Sequence, residues 1–169
     1  MRFIGASLLI AASILSGACA VRMKKRRLCT LRELCEALEI MQGELSLHNS
    51  SLPEMFRLLS IHGTGKAGEI FSLLLEQLPL LGECSFSYIW DKALYCCRDE
   101  LNPSERETLK SLGFYLGRYD TETQIRQLRA CLTVLQTNLA EEEKSFPTER
   151  KLLLGLSASA GAMIAILLV

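Results

Sequence analysis

The segment Gly63-Thr64-Gly65-Lys66-Ala67-Gly68 has the composition of a phosphate cradle, because glycines free backbone N–H groups for an anion and a lysine adds charge. Its spacing does not complete one. A phosphate loop runs G-x-x-x-x-G-K-[ST] out of a buried strand, whereas here alanine follows the lysine and an amphipathic helical pattern precedes the turn. The segment reads instead as a connection between helices. Seven cysteines are present, and outside the first apolar run they stand at Cys29, Cys35, Cys84, Cys96, Cys97 and Cys131, with no C-x-x-C pair. That arrangement suggests neither a disulfide framework nor a zinc ribbon, and the cysteines read as small buried hydrophobes of a reducing compartment. His48 and His62 lie near helix ends and outside ligand spacing of any cysteine. Pairing Cys35 with His48 as nucleophile and base has no support beyond the presence of both residues. No catalytic, cofactor or metal set is assigned.

A more specific pattern is Leu109-x-x-Leu112-Gly113-x-x-Leu116-Gly117-x-x-Asp120-x-x-x-Gln124. Gly113 leaves a helix face bare, Gly117 suits a positive-φ helix end, and Asp120 can accept from the free N–H groups that open the next helix. This is the recipe for a tight helix–helix corner. Arg118 and Tyr119 fall at its tip, which makes Leu112, Gly113, Leu116, Gly117, Arg118, Tyr119, Asp120 and Gln124 the candidate partner-binding residues. Trp90, with Phe86, Tyr88, Ile89 and Tyr95 around it, reads as core, and Glu141, Glu142 and Glu143 as a solvated face.

The elements that must position this corner are helical. Leu28, Leu31, Leu34, Leu38, Met41 and Leu45 recur at helical spacing, and Ile125, Leu128, Leu132, Leu135 and Leu139 do the same near the other end. Pro53 and Gly63 bracket a short helix; others are expected over 67–78, stopped by Pro79, over 87–97, and from Asn102-Pro103 to Leu116. Alternation never persists, so strands are not expected. The fold class is all-α, a bundle of about six helices over residues 22–151.

Residues 3–21 and 152–169 carry no charged side chain, and each run is long enough for a transmembrane helix. The expected division is therefore an N-terminal transmembrane helix over 1–21, the bundle, and a C-terminal transmembrane helix over 152–169. Arg22, Lys24, Lys25, Arg26 and Arg27 follow the first run, and Lys144, Arg150 and Lys151 precede the second. That asymmetry places the middle of the chain in the cytoplasm of a multi-pass protein of the cell membrane. Near an anionic leaflet each cation is worth about 1 kcal/mol, so the first cluster contributes up to roughly 5 kcal/mol. A cleaved export signal, or a lipoprotein beginning at Cys19, fits less well, because the cations follow the apolar run and Ser16 stands where a lipoprotein needs a large aliphatic residue. Residues 28–151 hold 13 basic and 19 acidic side chains, a balance of −6 that argues against nucleic acid as a partner.

With these residues in view, the chain resembles the stage III sporulation protein AB family over essentially its whole length. The likeness lies in Leu34-Cys35-Glu36-Ala37-Leu38, Gly43-Glu44-Leu45, Leu52-Pro53-Glu54, Trp90, and above all the Leu112-Gly113…Leu116-Gly117…Asp120…Gln124 corner. It departs at Tyr119, where the family is associated with serine, and at Gln42-Gly43. The resemblance implies a non-enzymatic membrane platform of the secretion-like channel between mother cell and forespore during engulfment, with a helical domain similar to type II secretion F-type platform proteins. It implies a stage III sporulation AA-type ATPase on the mother-cell side as partner, with other membrane proteins of the channel and the lipid bilayer around it, and leaves open a homo-oligomer. The alternative from another class is a small membrane-bound redox or metal protein using its cysteines.

Overall fold

The computed structural model describes the backbone of residues 2–48 and 50–168, and the side chains of 11–48, 50–161, 163 and 164. Among these residues the chain is all-helical: α1 (Arg2–Leu47), α2 (Leu52–His62), α3 (Gly65–Gln77), α4 (Phe86–Leu94), α5 (Pro103–Tyr115) and α6 (Thr121–Leu168). Short 3-10 turns follow α3 at Leu78–Leu80 and α4 at Tyr95–Cys97. An isolated bridge between Leu81 and Cys84 is the one strand-like pairing among the described residues.

Local chemistry sets most helix ends. Glu54 in the first turn of α2 accepts the Ser51 N–H at 2.9 Å, and the Gly63 N–H closes the helix on the Leu59 carbonyl at 2.7 Å. At α5, Asn102 and Glu105 exchange bonds reciprocally, the Glu105 N–H donating to Asn102 Oδ1 at 2.7 Å and the Asn102 N–H to Glu105 Oε2 at 2.8 Å. The expected helix over 87–97 is shorter than its apolar pattern, because its last turn tightens into the 3-10 form.

The chain forms two compact units, Cys29–Leu139 and Met1–Leu28 with Ala140–Val169. The larger unit holds one core in which Trp90, Phe56 and Phe71 are the largest fully buried side chains. The Phe56 and Phe71 rings lie 5.8 Å apart, Phe71 and Trp90 6.5 Å. Trp90 Nε1 donates to the Leu109 carbonyl at 2.7 Å, so its polar edge is met inside the core. Leu31, Leu34, Leu38, Met41 and Leu45 from α1 and Leu128, Leu132 and Leu135 from α6 are buried in the same cluster, as their spacing predicts. Glu105 is 0% exposed, and Asn138 Nδ2 on α6 donates to its Oε1 at 3.2 Å. A carboxylate that begins as a helix cap thereby also joins α5 to α6.

In the smaller unit Ser13 donates to the Ser157 carbonyl, and the face that Gly17 leaves bare is filled by Ser157. Ser157 makes this small-residue contact, and nothing lies within 4 Å of a side chain placed at Gly155. Lys24 pairs with Glu149, and Arg27 Nη2 with Glu142 Oε1 at 3.1 Å, so Glu142 belongs to an ion pair while Glu141 and Glu143 are exposed. Ile14, Leu15, Leu152, Leu154, Leu156, Met163 and Ile164 are exposed. Among the described residues no helix is long and apolar enough to cross a membrane, and serines and glycines dilute both runs. The expected spans lie partly outside the described side chains, at 1–10, 162 and 165–169.

Candidate functional site

The glycine-rich turn between α2 and α3 is closed on a carboxylate of its own chain. Glu33 Oε2 accepts the Lys66 N–H at 2.8 Å, and the Cys29 thiol donates to Glu33 Oε1 at 3.4 Å. Gly65, at φ +56°, sits where any side chain would run into that carboxylate. Lys66 Nζ bonds Glu69 at 2.8 Å, an attraction that raises the lysine's pKa. The positive end of α3 already has its anion, which is why the turn serves packing and not phosphate.

The cysteines divide by environment. Cys35, Cys97 and Cys131 are buried, Cys84 and Cys96 half-buried, and Cys19 and Cys29 exposed, and none of the seven forms a disulfide. Reading all of them as buried hydrophobes therefore fails at Cys19 and Cys29, which lie on the outer side of α1. Burial pushes the Cys35 thiol up to about 11, helped by the charge of Glu39, and Cys131 up to about 12. Contact with Cys96 and then burial drive Cys97 upward, while Cys97 draws Cys96 downward. His48 and His62 are both exposed, whereas Cys35 is buried. No grouping of three metal-ligating side chains occurs among the described residues.

The α5–α6 corner is built as its residue types require. Leu112, Gly113 and Leu116 are buried. Gly113 lies against the tryptophan: a Cβ there would stand 2.5 Å from Trp90 Cδ1. Helix α5 stops at Tyr115, Leu116 turns extended at ψ 127°, and Gly117 takes φ +72° with its open side facing Leu52. Asp120 opens α6 by accepting the Thr123 N–H at 3.0 Å, and this bond first of all holds its carboxyl below the usual range.

Gln124 then ties the two sides together. Its Oε1 accepts the Gly117 N–H at 3.2 Å, its Nε2 donates to the Tyr119 carbonyl at 2.6 Å, and it is only 8% exposed. A buried amide with donors and acceptors both met makes a stiff corner. Arg118, Tyr119 and Asp120 are exposed at its tip, with the Tyr119 ring 5.4 Å from that of Tyr115. The eight residues singled out by sequence thus come together, four as buried framework and the others at the surface.

One wall of the site was not anticipated. A cleft of about 290 Å³ opens between the amino end of α4, at 85–87, and the corner residues Gly113, Phe114 and 116–118. In sequence Phe86 reads as core beside Trp90, Ser85 and Ser87 belong to no motif, and Phe114 is an unassigned position of the corner pattern, yet Phe114 is 51% exposed.

The model of the family described as stage III sporulation protein AB matches residues 2–169. Stage III sporulation protein AB of Bacillus subtilis (strain 168) is 25% identical over 170 residues, 99% of each chain. A solved structure of stage III sporulation protein AB (SpoIIIAB) superposes with a TM-score of 0.63 at 26% identity, covering 72% of this chain and 97% of its own. These names are those of a sporulation protein and not of an enzyme.

Proposed function

Because the chain belongs to the stage III sporulation protein AB family, we propose that it is a non-enzymatic platform component of the secretion-like channel between mother cell and forespore, acting during engulfment. Its helical body meets a cytoplasmic ATPase of the stage III sporulation AA type and couples it to the other membrane proteins of the complex. The observation that carries this reading is the α5–α6 corner, whose frame is pinned by Gln124 and Asp120 while Arg118 and Tyr119 are left exposed. A contact surface that must withstand a motor needs a fixed backbone and a free tip.

The apolar runs at 3–21 and 152–169 enter the bilayer, with their inner flanking cations on the mother-cell side. The exposed Ile14, Leu15, Leu154 and Leu156 support a lipid-facing role for the smaller unit. Cys29 is exposed and reports on sidedness, whereas the buried Cys131 does not. An impermeant maleimide is expected to label Cys29 only after cells are broken; labelling in intact cells contradicts the orientation.

The partner is tested by co-purifying a tagged ATPase with the full chain extracted from membranes. Arg118→Glu combined with Tyr119→Ala is expected to reduce capture at least tenfold, roughly what loss of an Arg/Tyr anchor costs. Normal capture by this folded variant removes the corner as the contact.

A further inference from the structure

We infer that the cleft between the amino end of α4 and the α5–α6 corner receives a segment of the partner protein in which a large apolar side chain stands beside a carboxylate. This rests on the corner being the partner-binding region and gives that partner a chemistry. At about 290 Å³ the cleft falls just below the range, about 300–1,000 Å³, that small-molecule pockets occupy, so it suits inserted side chains better than a cofactor. Phe86, Phe114 and Leu116 supply apolar walls, and the exposure of Phe114 leaves a large aromatic surface uncovered beside the fixed backbone of Gly117.

The charge on this cleft is of one sign. Arg118 is the one charged side chain in its lining, and among the described residues it has no acidic partner. The nearby Asp120 is committed to the Thr123 N–H. Helix α4 adds to this, because its first turn contains no acidic residue, and the Ser85 hydroxyl accepts the Tyr88 N–H at a long 3.4 Å. The other amino ends in this unit are met by carboxylates: Glu54 at α2, Glu33 at α3, Glu105 at α5 and Asp120 at α6. A carboxylate arriving in the cleft would meet the Arg118 guanidinium beside the positive end of α4, with its apolar neighbour against Phe114. A polyphosphate would bring several negative charges to one guanidinium, in a domain whose balance is already negative.

The test places p-benzoylphenylalanine at Ser87, Phe114 or Tyr119 of the full chain in sporulating cells, with the exposed Ile61 as control, and sequences the adducts. Ser87 and Phe114 are expected to crosslink to a protein segment with Asp or Glu within two residues of an apolar side chain. Arg118→Glu should lower that yield about tenfold, whereas Arg118→Lys should keep it within about twofold, since a point charge survives without the fork. Adducts with lipid alone, adducts with a segment lacking acidic residues, or yields no higher than at Ile61 overturn the inference. If Tyr119 crosslinks to the ATPase while Ser87 and Phe114 crosslink to nothing, the corner reading stands and the cleft falls. If Ser87 and Phe114 capture an acidic segment while Tyr119 never reaches the ATPase, the cleft stands and the assigned motor contact falls.

Discussion

Among the helix–helix connections of the larger unit that contain a positive-φ glycine, those at Gly65 and Gly117 have opposite outcomes. At the α2–α3 turn, Gly65 lies against Glu33, whose carboxylate takes the Lys66 N–H, and Lys66 is spent on Glu69. At the α5–α6 corner, Gly117 is held by Gln124 and α6 is capped by Asp120, but Arg118 and Tyr119 are exposed above an open cleft. The first connection has the richer glycine content and the more suggestive motif. On the proposed reading, what separates the open corner from the closed turn is whether the chain has already paired the cation that the turn presents: Lys66 meets Glu69, while Arg118 meets no carboxylate among the described residues.

The strongest way to break this comparison is to remove the bareness of the open corner. Gly113→Leu drives a side chain into Trp90 and is expected to destabilise the fold by about 3 kcal/mol. Because Trp90 is the only tryptophan, its fluorescence should shift to the red in the folded variant as its environment loosens. Chemical denaturation followed by that fluorescence checks both. A smaller cost, about 2 kcal/mol, is expected for Gln124→Ala, which leaves the Gly117 N–H and Tyr119 carbonyl without their buried partner. It should also weaken ATPase capture by loosening the tip, even when the variant remains folded.

The closed turn should respond differently. Glu33→Ala removes the acceptor at the amino end of α3 and should cost about 1 kcal/mol, as lost helix caps do. ATPase capture should be unaffected, and a parallel loss of capture would erase the distinction between the two turns. The smallest effect is expected from acid. The depressed carboxyls of Glu54 and Asp120 contribute stability that is fully present above the pKa each has in the unfolded chain. That contribution fades as pH falls through the lower values of the folded state. Asp120→Asn, which keeps a cap acceptor but cannot titrate in this range, should flatten the acid end of the stability profile.

Much of this was readable in sequence because it is local. Pro53, Gly63, Pro79 and Pro103 punctuate helices through effects reaching only a few residues, and Gly117, Asp120 and Gln124 fall within one short stretch of chain. The α1 and α6 stripes identify core faces because a helix repeats its own geometry. What escaped depends on residues distant in the chain. Glu33 closes a turn at Lys66, Glu105 is buried against Asn138, and Phe86 and Leu116 line the same cleft, with no periodic signature in any of the three. Cys29 shows the same limit from the other side, since exposure on one face of a helix is set by what packs on the opposite face.

The most direct measurement is a footprint of both turns at once. Thr64→Cys and Tyr119→Cys, each at an exposed tip, are alkylated in membranes with and without the ATPase, and labelling is resolved by residue using mass spectrometry. Protection at 119 with an unchanged rate at 64 is the expected result. Protection at 64 with none at 119, or equal reactivity at both in the presence of the ATPase, contradicts the assignment of the open corner as the docking surface.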